Sequence, residues 1–333
     1  MKYRVCVLGS GAWGTVMASL LADKGNQVVV YGIVEQEINE INQSHTNKKY
    51  LGESFKINQS VKATLDFNLA MEGANVVVFA VPSFAIKEMA IKVKPFVRKD
   101  TLLINLAKGF DKISKKTLGQ TIREEIGEKY CKNVVSLLGP SFAEEVSEKQ
   151  NTAITASGAS DEFNKLAQEI VSNEYLRIYT NNDWMGAEVC SSLKNVVALA
   201  CGIIDGLGCK VNTRSALITR GMAEIKRFVV EMGGVEATCY GLAGVGDLIL
   251  TCSSKTSRNY SAGYQIGVNS IDEFYKTNTK TVEGVYACEI AYEIAKEKKI
   301  YSPIINAVYG VVFRGENPKK AVKDLMSLSL KSE

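Results

Sequence analysis

YRVCVLGSGAWGTVMASLLADKGNQVVVY, residues 3–31, decides the fold. Tyr3–Leu8 is a short apolar run with β-branched character, which predicts a buried strand. Gly9-Ser10-Gly11-Ala12-Trp13-Gly14 follows at once, then an amphipathic helix through Lys24 and a second strand at Gln27–Tyr31. GxGxxG is informative in this frame of strand, glycine turn, helix and strand. Gly9 permits the tight turn, Gly11 lets the backbone approach a pyrophosphate, and Gly14 lets helix and strand pack closely. The helix N-terminus offers N–H groups and a positive dipole end to phosphates. The bland alternative is a tight βα turn with no ligand.

The tip of the second strand is where the adenosine ribose is normally read. Here it is Tyr31-Gly32-Ile33-Val34-Glu35, with no acid and no arginine at the tip itself. Glu35 stands slightly late for a 2′-hydroxyl and fits the first turn of a following helix equally well. Lys48 and Lys49 are candidates for a 2′-phosphate, although loop lysines are usually solvated. The choice between NAD and NADP stays open.

The alternation continues. Asn75–Val81 reads as a strand broken at Pro82-Ser83, Thr101–Leu106 as another ending in Ala107-Lys108-Gly109, and Val134–Leu138 as a third ending in Gly139-Pro140-Ser141. In a parallel sheet these ends share one edge beside the dinucleotide crevice, so Ser83, Lys108 and Ser141 are expected to converge there. Thr152–Ser157 and Leu176–Thr180 read as two further strands, with a helix around Asp161–Val171. The expected fold is an α/β Rossmann-type domain over residues 1–183.

DWMGAEVCSSLKNVVALACGIIDGLG, residues 183–208, then reads as one long helix, with Asp183 as N-cap and Gly206 and Gly208 as its stop. Val196–Ile204 has no polar face, which predicts burial on all sides. Lys194 lies within this helix. A lysine rarely enters a core unless it is paired or used, and burial makes an ammonium a candidate acid/base near neutral pH. The alternative is a lysine that snorkels to solvent. Beyond it, helical periodicities cover Arg214–Met232, Thr281–Lys298, Ile304–Arg314 and Pro318–Leu325, so residues 184–333 read as an all-α domain.

Two stretches of this second half are polar in unusual ways. Gly241–Leu248 is glycine-rich with one acid, Asp247, among apolar neighbours. A buried Asp247 needs a partner, and Lys194 is the obvious one. Ser257-Arg258-Asn259 joins a hydroxyl, a guanidinium and an amide, a set suited to phosphate oxygens. The plain reading is a polar loop in which Ser257 or Asn259 caps a helix.

Bulk properties exclude several classes. The 333 residues suggest two domains, and 46% hydrophobic with 23% charged is ordinary for a globular protein. A net charge of +4 with no long basic run gives no sign of nucleic-acid or membrane-surface binding. No apolar run is read as reaching transmembrane length, so no membrane insertion is expected, and the N-terminus has no signal-peptide layout. Eight scattered cysteines without a CxxC pair read as small core residues of a reducing cytoplasm. The single histidine, His45, argues against a His-rich metal centre, and no metal is expected.

These motifs occur together in a fixed order: GSGAWG (9–14), FAVPS (79–83), AKG (107–109), GPSFAEE (139–145), SLKNVVALACGIIDGLG (192–208), ALITRGMAEI (216–225), GLAGVGDLILTC (241–252), SRN (257–259) and VEGVY (282–286). The chain resembles the bacterial-type NAD(P)-dependent sn-glycerol-3-phosphate dehydrogenases over essentially its full length. The resemblance implies a Rossmann-type N-terminal domain and a helical, substrate-binding and dimerising C-terminal domain like that of 6-phosphogluconate dehydrogenase. It also implies a cytoplasmic homodimer that reduces dihydroxyacetone phosphate for phospholipid synthesis, using NAD or NADP. By the same resemblance Lys194 is the general acid/base and contacts substrate, and Lys108 contacts substrate and cofactor; the catalytic set is Lys194 with Lys108, expected to polarise the carbonyl, and Asp247, expected to orient Lys194. Gly139, Ser141, Asp247, Ser257, Arg258 and Asn259 contact substrate. Ala12, Trp13, Ala143, Arg258 and Glu283 contact cofactor, beside the turn glycines Gly9, Gly11 and Gly14. Two positions depart from the usual pattern. Ile33 replaces a common basic residue, which weakens the case for NADP, and Thr281 replaces a common valine. The rival readings are a related β-hydroxyacid dehydrogenase and a non-catalytic NAD(P)-binding sensor.

Overall fold

The computed structural model describes residues 2–278 and 281–330. Two compact units divide the chain, Met1–Trp184 and Met185–Glu333.

The first unit is built on an eight-stranded sheet in the order β3-β2-β1-β4-β5-β6-β7-β8. Its strands are β1 (Arg4–Leu8), β2 (Gln27–Tyr31), β3 (Lys62–Thr64), β4 (Val76–Phe79), β5 (Leu102–Asn105), β6 (Val134–Leu138), β7 (Thr152–Gly158) and β8 (Leu176–Asn181). The central strands are apolar on both faces because both faces are covered. Val5, Val7, Val76 and Val78 enter one core layer, while Cys6, Leu8, Val77 and Phe79 enter the other. Helix α1 (Ala12–Asp23) follows β1 and α2 (Glu35–Ser44) follows β2.

The expectation of one parallel sheet holds from β1 to β6 and fails at β7, which pairs antiparallel to β6. A parallel return needs a crossover as long as the strand. The only helix between them, Ala143–Ser147, has five residues and rises about 7.5 Å, less than half the length of a typical strand. The chain therefore turns back beside β6, and β8 follows β7 in parallel. The three-residue β3 is too short to carry a periodic signal.

The second unit is helical. Its long helix α3 runs Trp184–Gly206, and every residue from Gly186 to Ile204 is buried. Contrary to the expectation that no apolar run reaches transmembrane length, it is long and apolar enough to cross a membrane, but its apolar window is wholly buried in the protein. There follow α4 (Val211–Glu231), α5 (Asp247–Ser253), α6 (Arg258–Val268), α7 (Glu283–Lys298), α8 (Pro303–Arg314) and α9 (Pro318–Met326). Helix α4 begins earlier than its periodicity suggests, and α7 begins at Glu283, leaving Thr281 outside it.

Gly208 ends α3 as expected, with φ +85° and N–H groups of Leu207, Gly208 and Cys209 returned to the last turn. Gly206 is not the stop. It is the last helical residue, without left-handed geometry, and it lies in a glycine seam against α6. A Cβ at Gly202 would stand 2.0 Å from the Tyr260 carbonyl oxygen, and one at Gly206 would stand 2.4 Å from that of Tyr264. The clash is mutual, since a Cβ at Gly263 would lie 2.1 Å from Leu199 O and one at Gly267 2.2 Å from Ile203 O. Backbone meets backbone, so the seam sets where α6 starts relative to α3.

All eight cysteines are free thiols and six are buried, Cys6 being pushed by burial to about 12. Glu224 on α4 is also buried, and its carboxylate accepts the Ile304 and Ile305 N–H groups at 2.7 and 3.2 Å at the start of α8. Burial raises it from 4.5 to about 7, and the two N–H groups offset only part of that.

Gly263→Ala should destabilise the protein by about 1–3 kcal/mol in a denaturant titration, although alanine is the better helix former by about 1 kcal/mol. An unchanged midpoint would mean that α3 and α6 do not meet here. Because folded Glu224 holds its proton more tightly than the unfolded chain, its favourable contribution is complete below pH 4.5 and is lost as pH rises through about 7. Glu224→Gln, which cannot ionise, should flatten the decline in stability over this window. A parallel pH profile for both proteins would remove Glu224 as its source.

Candidate active site

In the first unit, the glycine turn meets each of the three requirements separately. Gly9 has φ +114°, and a Cβ there would stand 2.6 Å from Ala80 O. A Cβ at Gly14 would stand 2.1 Å from Gly9 O, which is the close helix–strand packing. A Cβ at Gly11 would meet nothing within 4 Å and would instead fill open space before the helix. Gly11 is the N-cap of α1 and supplies no side-chain cap, so the N–H groups of Ala12, Trp13 and Gly14 have no acceptor among the described residues. With no acid in that first turn, this cradle fits a pyrophosphate.

Side chains that the motif does not reveal hold the turn. Ser10 Oγ donates to Glu37 Oε2 at 2.6 Å, and Asn47 Nδ2 donates to Ser10 O at 2.7 Å and to Thr15 Oγ1 at 2.8 Å. Glu37 is buried two residues into α2, and its only sequence signal is an acid on the apolar side of that helix.

The β5 and β6 ends converge as expected. Lys108 Nζ donates to Gly139 O at 3.1 Å, and Ser141 Oγ donates to the same carbonyl at 3.2 Å. Asn105 braces the turn carrying Lys108, accepting from Ala107 N at 3.0 Å and donating to Ala107 O and Ser136 Oγ, both at 3.1 Å. Ala143 opens the next short helix and is buried. Ser83 heads a single turn after β4. Ile33 is 82% exposed at the β2 tip. The lysines considered for a 2′-phosphate are largely solvated, as loop lysines usually are, and each pairs with an acid, Lys49 with Glu37 at 2.9 Å and Lys48 with Glu53 at 3.2 Å.

In the second unit, Lys194 is 6% exposed, which rules out the snorkelling alternative. Its Nζ donates to Asp247 Oδ1 at 2.6 Å and to Thr251 Oγ1 at 2.8 Å. Asp247 is 1% exposed, and its second oxygen accepts from Ser191 Oγ at 3.4 Å. Thr251 Oγ1 donates to Asp247 O at 2.6 Å, one turn back on α5. Thr251 stands four residues after Asp247 and Ser191 three before Lys194, helical spacings that could have revealed both. The glycines ahead of Asp247 make the approach possible. Gly244 breaks from helical geometry at φ −97°, ψ −105°, and a Cβ on it would stand 2.1 Å from Cys239 O.

The SRN segment divides its labour. Ser257 is the N-cap of α6, accepting from Tyr260 N at 3.3 Å, so the capping alternative is correct for this residue. Asn259 is buried, and its Oδ1 accepts from Gly284 N at 2.8 Å. Arg258 at the first position of α6 is exposed and makes no ion pair among the described residues. Asn259 thus ties the SRN segment to the Val282-Glu283-Gly284 turn, where Glu283 opens α7 and Thr281 lies exposed before it. A Cβ on Gly284 would also stand 2.6 Å from the carbonyl oxygen of Asn195, the neighbour of Lys194.

Comparison with known proteins agrees with this chemistry. Residues 4–164 match the family model for the NAD-dependent glycerol-3-phosphate dehydrogenase N-terminus, and residues 183–323 match that for the C-terminus. The chain is 39% identical over 331 residues to the glycerol-3-phosphate dehydrogenase (NAD(P)+) of Staphylococcus saprophyticus, covering 99% of each protein. The structure of glycerol-3-phosphate dehydrogenase from Coxiella burnetii superposes with a TM-score of 0.90 at 32% identity, covering 98% of this chain and 99% of that one. The Saccharomyces cerevisiae glycerol-3-phosphate dehydrogenase gives 0.84 at 25% identity, covering 98% and 100%.

Proposed function

The chain belongs to the NAD-dependent glycerol-3-phosphate dehydrogenase family, and from that premise we propose how its residues carry the reaction. It is an oxidoreductase that interconverts dihydroxyacetone phosphate and sn-glycerol 3-phosphate with NAD or NADP. The observation that carries the mechanism is a lysine ammonium buried in a helix and held by Asp247 and Thr251.

A reduced nicotinamide dinucleotide, held by its pyrophosphate at the glycine turn, would supply the hydride for the C2 carbonyl carbon. The carbonyl oxygen then becomes alkoxide-like and needs a proton, which Lys194 gives as general acid. A carboxylate 2.6 Å away favours the ammonium, the form that reduction requires. Bonds to Asp247 and Thr251 hold Nζ at two points, so the proton is delivered from a fixed position. In the oxidative direction neutral Lys194 takes the hydroxyl proton.

Arg258 is the phosphate anchor in this reading, supported by its exposed and unpaired guanidinium beside the capped start of α6. Ser257 and Asn259 shape that segment, Asn259 also holding the turn that carries Glu283. The open cradle at Gly11, with Gly9, Ala12, Trp13 and Gly14, takes the pyrophosphate. To Lys108, Gly139 and Ser141 we assign the remaining substrate contacts. Ala143, Ile33, Thr281 and Glu283 complete the cofactor contacts, as do second roles for Lys108 and Arg258. Residues 1–183 are then the cofactor-binding part and 184–333 the substrate-binding and dimerising part. Cytoplasmic supply of glycerol 3-phosphate for phospholipid synthesis by a homodimer completes the reading, supported by family resemblance.

The direct test is loss of reduced-nicotinamide absorbance on adding dihydroxyacetone phosphate. Folded protein that binds the cofactor yet shows no turnover would overturn the assignment. Lys194→Ala should lower kcat by roughly 10²–10⁴-fold, the usual worth of a positioned general acid. Near-normal turnover would take the proton transfer away from it. Arg258→Ala should act chiefly on KM for the phosphorylated substrate, as expected of a uniform binding contact. A variant with unchanged KM would place the phosphate elsewhere.

A further inference from the structure

The β2 tip packs directly on the glycine turn. Gly9 N–H donates to Tyr31 O at 2.8 Å, and a Cβ on Gly32 would stand 2.8 Å from Ser10 Oγ. Residues 33–35 therefore flank the pyrophosphate cradle, at the place where this type of fold meets the adenosine ribose.

A 2′-phosphate brings close to two negative charges, and tolerance of it requires an available cation. Residues 33–35 of the tip include none. Ile33 is 82% exposed and Val34 40% exposed, both apolar. The two lysines that follow α2 each pair with an acid, Lys49 with buried Glu37 at 2.9 Å and Lys48 with exposed Glu53 at 3.2 Å. Lys62 on the neighbouring strand sits opposite Val29, two residues below the tip residue Tyr31. The first turn of α2 carries Glu35 and Glu37, which cancels the attraction of a helix start for an anion. Glu37 is occupied by Ser10 and Lys49, whereas Glu35, late for a 2′-hydroxyl by sequence count, opens α2 only four residues past the end of β2 and is exposed and unpaired among the described residues.

We propose that this tip selects NADH against NADPH, with Glu35 accepting a ribose hydroxyl and repelling a 2′-phosphate while Ile33 lies against the adenine. The proposal rests on the dinucleotide reading of the glycine turn and goes beyond it by naming which cofactor is taken and which residues choose. Ile33 offers an apolar surface to a flat base, and Glu35 is an acceptor matched to a hydroxyl donor. Discrimination comes from the unfavourable member of the pair, a phosphate beside an unneutralised carboxylate.

The test is a fluorescence titration giving Kd for NADH and NADPH with the full chain, alongside turnover with each. The wild-type protein should bind NADH at least about tenfold more tightly, a preference within reach of one unfavourable charge contact. Ile33→Arg should narrow or reverse the ratio by tightening NADPH, and Glu35→Gln should narrow it chiefly by the same route. Equal or tighter binding of NADPH by the wild-type protein would overturn the proposal, as would an Ile33→Arg variant with an unchanged ratio. Selective NADH binding without turnover would leave it standing and sink the assigned reaction. Efficient turnover with a preference for NADPH would do the reverse.

Discussion

An ammonium in the middle of a helix that is buried along its length has to be satisfied where it stands. Lys194 imposes that demand on the second unit, and much of the local architecture answers it. Asp247 must reach Nζ, so α5 has to start within a side chain's length of α3. That approach is made by a chain that leaves helical geometry at Gly244, where any side chain would strike Cys239. Thr251 closes the arrangement by accepting from the ammonium while donating to the backbone behind the carboxylate. Removing either partner would leave an uncompensated buried charge, which costs more than an ordinary core defect.

The same helix governs the opposite side of this unit through the absence of side chains. Four glycines let α3 and α6 touch along their backbones, so the rigid body that carries Arg258 is registered against the one that carries Lys194. The Asn259–Gly284 bond extends this registration to the start of α7. Three segments distant in sequence are thus held together by contacts too short to accommodate a methyl group. Small residues here act as spacers of defined length, as Gly9 and Gly14 do in the first glycine turn, whereas Gly11 there faces open space.

Much of this was legible in the residues, and the exceptions share a cause. Strands buried on both faces announce themselves as continuous apolar runs, so the central sheet could be read directly. Strand direction has no such signature. The reversal at β7 follows from the length of the preceding connection, not from the composition of the strand. Lys194 and Asp247 could be paired because two isolated charges in apolar surroundings need each other, whereas Thr251 and Ser191 are single hydroxyls that stand out only by their helical spacing from that pair. Gly206 and Gly208 look alike as helix stops, and only the facing helix distinguishes them. Lys48 and Lys49 each face an acid, Glu53 and Glu37, that no spacing in the sequence announces.

The reversed strand has a further consequence at Gly139. This residue has φ +147°, and a Cβ on it would stand 2.9 Å from the Cα of Ile154 on β7. Its carbonyl also receives Lys108 and Ser141. The sheet therefore requires glycine at this position whatever the molecule binds. Evolutionary drift toward another substrate cannot proceed by decorating residue 139, because the sheet edge would have to be rebuilt first. Innovation at this corner is left to its neighbours, Ser141 foremost, while residue 139 is frozen by architecture.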